Sequence, residues 1–133
     1  MAVTTYQSNR ILDNLFGNTP LSPTTNFYIG LSKTPIQKDG SGYTEPSGAG
    51  YTRVQVQNNK SNFSVAREGT LSNSADIQFP ESTGGWGTLT HVFVSDSPSS
   101  GNVLYFDALT NPRTVESLTT LLFSTGTLQV TLS

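Results

Sequence analysis

The sequence predicts an all-β fold, an antiparallel β-sandwich of about eight strands with a short N-terminal helix and an extended arm. Three observations carry this reading. Apolar residues recur at period two in run after run; Gly, Pro, Ser and Asn separate those runs at short intervals; and only one stretch, near the N-terminus, has helical spacing.

That stretch is "TTYQSNRILDNLFGN". A Thr caps its start, Ile11, Leu12, Leu15 and Phe16 gather on one face, and Gly17, Asn18 and Pro20 supply the stop. The stripe is too small to hold a helix in water by itself, so it must lie on the domain or on a neighbouring subunit. Pro20 to Pro23 reads as an extended connector. Residues 1–26 are therefore expected to form a helix-and-linker arm, and residues 27–133 the β-domain.

Alternation begins at "NFYIGLSK", with Phe27, Ile29 and Leu31 on one side. It returns in "TRVQVQ", "FSV", "ADIQF" and "TLQVTL". "THVFVS" and "VLYFDAL" carry apolar residues on both faces, as central strands do, and "DSPSSGN" between them reads as a hairpin loop. The expected core is Phe27, Ile29, Leu31, Val54, Val56, Ile77, Phe79, Leu89, Phe93, Leu104, Phe106, Leu128, Val130 and Leu132. One segment, "KTPIQKDGSGYTEPSGAG" from Lys33 to Gly50, is too long and too rich in Gly and Pro for a compact hairpin, and is expected to dock on a partner.

Composition narrows the function. A chain of 133 residues is one domain with one core. Only 12% of residues are charged, while Ser and Thr supply 36 positions, so the polar surface is mostly hydroxyl and amide and costs little to desolvate against protein. The net charge of -2, with scattered Lys and Arg, disfavours nucleic acid. The absence of cysteine removes disulfides, thiol catalysis and thiolate metal sites. "MAVTTYQSNR" has neither the charged start nor the apolar centre of a signal peptide, and no run approaches the ~20 apolar residues of a membrane span.

Chemistry is weighed at "GGWGTLTHVFVSDS", which holds the one Trp and the one His. A hydrolase would need His91 as base, Ser95, Ser97 or Ser99 as nucleophile and Asp96 or Asp107 as orienting acid, but there is no G-x-S-x-G turn to fix that geometry. One His without Cys makes a poor metal site, and Asp39 with Glu45 matches no calcium loop. No phosphate-binding glycine pattern is present. The expectation is no enzymatic activity, no cofactor and no metal, with Trp86 and His91 as wall residues. Glu45 and Arg53 flank a turn built on Pro46, Gly48 and Gly50 that would bring acid and base together beside Tyr51, a latch of surface-pair strength, under ~1 kcal/mol.

"TEPSGAGYTRVQV" (Thr44 to Val56), "IQFP" (Ile77 to Pro80), "GGWGTLTHVFVSDSPSSGNVLYFDAL" (Gly84 to Leu109) and "PRTVESLTTLLFSTGTLQVTL" (Pro112 to Leu132), in this order, resemble a family of small virion proteins of tailed bacteriophages, tail-fibre-like or head-decoration in type. The resemblance covers most of Phe27 to Leu132 and leaves the helix and linker outside. It implies a structural virion component of β-rich fold, present in repeated copies and without catalysis. The low charge and the arm favour a capsid decoration or cement protein that stabilises the shell through Ile11, Leu12, Leu15 and Phe16. Its expected partner is the major capsid protein, and it would act as a homo-oligomer such as a trimer, made in the host cytoplasm, with neither nucleic acid nor membrane bound. The alternative is a tail-fibre or baseplate module for host attachment, contacting tail proteins and displaying Tyr28, Tyr43, Tyr51 and Trp86.

Overall fold

The computed structural model describes residues 1–132. Its centre is an open five-stranded antiparallel sheet built from β1 (Ala2–Val3), β2 (Asn26–Ser32), β3 (Val54–Gln57), β6 (Gly87–Ser95) and β7 (Val103–Val115), in the order β1-β7-β6-β2-β3. Two ribbons complete the strands: β4 (Thr70–Ser72) with β9 (Gln129–Thr131), and β5 (Ile77–Gln78) with β8 (Leu122–Phe123). The one helix among the described residues, α1, spans Thr5–Leu15. The chain is thus mostly β, as its alternation predicts.

The strand with apolar residues on both faces, β6, sits in the middle of the sheet, and the "DSPSSGN" loop turns it into β7. Asp96 fixes that turn by accepting the Asn102 N–H at 2.8 Å, while Ser100 and Gly101 take the positive φ the reversal needs. Because side chains alternate along a strand, Val92 and Val94 point to one face and Phe93 to the other. On the first face they join Ile29, Leu31 and Val56 and pack against Ile77, Phe79, Trp86 and Leu121 from the ribbons and their connections. The second layer of the sandwich is therefore two short ribbons. On the opposite face Phe93 clusters with Ile36 and Val103, flanked by Tyr43 and Phe106.

That second cluster gives Lys33 to Gly50 a role within the domain: Ile36, Gly40 and Pro46 are buried, and the segment lies over Phe93 as the lid of the domain's own second face, while most of its other residues are exposed. Its turns are held by hydrogen bonds within the segment, Gln37 N–H to Ser41 O at 2.8 Å and Thr34 Oγ1 to Gly42 O at 2.6 Å. Local pairing of backbone polar groups offsets part of the desolvation cost where such a loop packs on the domain. Gly30 makes room beneath it. A Cβ there would lie 2.3 Å from the Phe93 ring, so the absence of a side chain at Gly30 lets that ring lie across the neighbouring strand.

Further expectations shift at the edges. "FSV" is not a strand: Phe63 makes one isolated bridge to Asn73 and packs edge-on to Phe27 at 5.4 Å, while Val65 is exposed. Within the expected core Ile29, Leu31, Val56, Ile77, Phe79, Leu89, Phe93 and Leu104 are buried, whereas Phe27, Val54, Phe106, Leu128 and Val130 are half-buried and Leu132 is half exposed. The gradient along β9 follows from its place in a two-stranded ribbon, which has the sheet on one side only. The N-terminus is also woven in. Ala2 and Val3 pair with Phe106 and Tyr105, and the fully buried Thr4 donates from its hydroxyl to Val103 O at 2.8 Å.

Candidate functional site

The polar centre of the domain is built by the Glu45-to-Arg53 turn, and it sits where β3 ends. Ile29 of β2 pairs with Val54, the first residue of β3, so two residues further on the Leu31 N–H has no strand to bond. Tyr51 fills the gap: its hydroxyl accepts the Leu31 N–H at 3.0 Å and donates to Glu45 Oε1 at 2.7 Å. Glu45 then receives Arg53 through two parallel bonds, Nε to Oε1 at 2.9 Å and Nη2 to Oε2 at 3.0 Å. The remaining Arg53 nitrogen donates to Ser97 O and Ser100 O of the β6–β7 loop, at 2.8 and 3.0 Å. The guanidinium carbon lies 5.0 Å from the Phe93 ring centroid and 5.9 Å from that of Tyr43.

This is not the surface latch that the sequence suggested. The Arg53 side chain is 2% exposed and that of Glu45 22%. Bidentate geometry, two carbonyl acceptors and two aromatic faces compensate the cation's lost hydration. Burial alone would lower the Arg53 pKa, but the hydrogen bonds and charge of Glu45 outweigh it and hold the guanidinium above its ordinary value. Burial, followed by the bond to Glu45, pushes the Tyr51 phenol well above its usual range. Both shifts fix protonation: Tyr51 stays a donor and Arg53 a cation. These two groups hold shape and exchange no proton near neutrality.

Trp86 is 2% exposed, donates its indole N–H to Ala49 O at 2.9 Å, and packs edge-to-face on Tyr51 at 5.3 Å. It is a wall residue, out of reach of any sugar or base. His91 is half-buried on β6, with Nδ1 2.8 Å from the Thr90 hydroxyl. Among the described residues no Ser or Asp hydrogen-bonds to its ring. Ser95 lies four positions along the same strand, about 13 Å away at the usual rise, and its hydroxyl donates to Asn102 O. The Asp107 carboxylate accepts the Ala108 N–H. Asp39 accepts both the N–H and the hydroxyl of Ser41, which lowers its pKa, and Glu45 is taken by Arg53, so the two do not share a cation site. Among the described residues no group of three or more His, Cys, Asp or Glu could hold a metal, and no helix is long and apolar enough to cross a membrane.

The other candidate residues lie on α1. Thr4 caps the helix, accepting the Gln7 N–H at 3.3 Å, and Gln7 donates to the Tyr105 hydroxyl at 3.2 Å. These contacts hold only the first turns. Ile11 is half-buried, but Leu12, Leu15 and Phe16 are 53, 66 and 84% exposed. Sequence reasoning found this stripe and missed Asn73. That residue is buried, with its amide bonded to Ala75 O, Ser124 O, Gly126 N and Leu128 N, so one side chain ties the β4–β5 connection to the β8–β9 turn. No local pattern in the sequence marks it, because three of its four partners lie some fifty residues away in the chain.

Among curated proteins no sequence matches the chain. A family model does, the one described as Podophage GP4 fiber I protein gp80, over residues 2–131. The match runs through α1 and the linker as well as the β-domain, which corrects the expectation that residues 1–26 fall outside the family resemblance. The match supports the structural virion role that the sequence motifs implied, and the chain belongs to the Podophage GP4 fiber I protein gp80 family.

Proposed function

We propose that the protein is a non-catalytic structural subunit of a podophage tail fibre. The observation that carries this reading is the match of nearly the entire chain to a fibre family, which favours the tail over the capsid-cement placement that low charge and the arm suggested. The site geometry supports it. Every strongly polar group in the domain interior is committed to holding a fold together, and no buried side-chain nitrogen or oxygen among the described residues lacks a partner. Such an interior suits a scaffold that carries mechanical load without turnover. In this role α1 and its linker are the attachment element, offering Leu12, Leu15 and Phe16 to a neighbouring protein.

The test is placement and copy number. Antibody labelling of intact virions in the electron microscope should mark the tail, and quantitative mass spectrometry should count few copies per particle relative to the major capsid protein. Label spread over the head, with copies approaching the number of capsid subunits, would replace the fibre reading with the cement one.

A further inference from the structure

We infer that the exposed end of α1 seats in an apolar groove of a second copy of this chain. The groove lies between the central sheet and the β4–β9 ribbon and encloses about 380 Å³. Phe27, Phe63, Leu71, Val94, Tyr105 and Val130 form its walls, and Lys60 is the one charged residue along it, with Asn58 and Asn59 beside it. The groove exists because the ribbon is only two strands wide and leaves part of the sheet face uncovered.

The helix supplies a matching knob. An 11-residue helix is marginal in water, and α1 buries no residue fully. Thr4 and Gln7 pin its first turns to β7, so its last turn stands clear with Leu12, Leu15 and Phe16 on show. Phe16 is 84% exposed and does not occupy the groove of its own molecule. Charge selects the partner. The last turn of α1 carries no basic residue, so the partial negative charge of its free carbonyls is uncompensated, and Asp13 adds a carboxylate between Leu12 and Leu15. An anionic, apolar helix end fits a groove whose only charge is the cation Lys60, and it is the wrong sign for an anionic lipid surface. Knob and groove occur in the same sequence at equal copy number, and a reciprocal pair or a closed ring fills every one. The inference does not depend on whether the virion carries the protein on its tail or its head.

Sedimentation of the purified full chain across a concentration series tests it. The wild type should associate reversibly. Phe16→Glu should weaken association at least about tenfold without changing the melting temperature, because Phe16 contributes little to the monomer. Lys60→Glu should also weaken association, and Asp13→Lys added in the same chain should restore it. With a photoreactive phenylalanine at position 16 in a mixture of heavy- and light-nitrogen chains, crosslinks should join heavy to light at Phe63 or Leu71. A chain that stays monomeric at every concentration, association indifferent to Phe16→Glu, or crosslinks confined within one chain would each overturn the proposal.

Discussion

Replacing Glu45 by Gln keeps the shape of the latch and removes its negative charge, which isolates what that charge contributes. Arg53, whose side chain is 2% exposed, would retain its two carbonyl acceptors and its aromatic faces but lose the counter-ion, and one Gln amide would set a donor against an Arg53 donor. Removing one member of a buried pair costs about 3 to 5 kcal/mol. Glu45 is 22% exposed, so water can relax part of the defect, and the lower end, about 3 kcal/mol, is expected. For a domain of this size that lowers the melting temperature by roughly 10 °C. Urea unfolding followed by the fluorescence of Trp86, the single and buried tryptophan, reads the loss directly. Glu45→Gln combined with Arg53→Met should recover part of it, because the orphaned cation is gone. A loss below about 1 kcal/mol, the range of exposed ion pairs, would refute the reasoning and return the latch to the surface strength its sequence suggested.

Tyr51 gives the pH dependence. Its folded pKa is raised, so its stabilisation is fully present below pH about 10, where the unfolded phenol titrates, and is lost above it at up to about 1.4 kcal/mol per pH unit. Tyr51→Phe should cost about 1 to 3 kcal/mol at neutral pH, since the Leu31 N–H loses its acceptor, and should flatten the alkaline slope; equal slopes in the two proteins would contradict the assignment. Gly30→Ala should destabilise by about 1 to 3 kcal/mol through collision with the Phe93 ring, and Gly30→Ala with Phe93→Leu should suffer less than the sum of the single changes. Phe93→Ala should cost about 3 to 5 kcal/mol and Phe106→Ala clearly less, because Phe93 is fully buried and Phe106 only half; equal losses in chemical denaturation would show that the lid does not seal Phe93.

The strands that pair with two neighbours were legible, and those at the margins were not. β2 alternates over its length, β6 is apolar on both faces, and every residue of the two strands except Thr90, at the β-bulge, has a cross-strand partner. In "FSV" the same period appears over three residues, too few to outweigh the turn before it, where Asn59 bonds to the N–H groups of Asn62 and Phe63. β1, with two residues, has no period to detect. The lid role of Lys33 to Gly50 was not legible because its polar, Gly-rich composition concealed two anchors, Ile36 and Tyr43. A signal was nevertheless present. β6 is apolar on both faces, and a strand of that kind requires cover on both sides, so the side opposite the ribbons had to be closed by something, and this loop is the long segment that directly follows β2, the neighbour of β6.

The same requirement explains why the latch combines these three residues. Tyr51 packs with Phe79 and Trp86 in the cluster beneath the ribbons, whereas Arg53 lies over Phe93 and Tyr43 in the cluster beneath the lid. Glu45 belongs to the lid and bonds to both. One carboxylate therefore joins the two sides of the central sheet at the point where β3 stops pairing with β2. A hydrophobic residue at position 45 could cover Phe93 but could not accept from Tyr51 and Arg53, and the Leu31 N–H and the β6–β7 loop would each lose the partner that Glu45 holds in place. The polar centre of this domain does by hydrogen bonding what the ribbons and lid, being narrow, cannot do by buried area alone: it fixes how the two covers sit on one sheet. Among the exposed apolar side chains, which also include Val65 and Leu118, Leu12, Leu15 and Phe16 lie together on the end of α1, and there assembly has stabilisation left to gain.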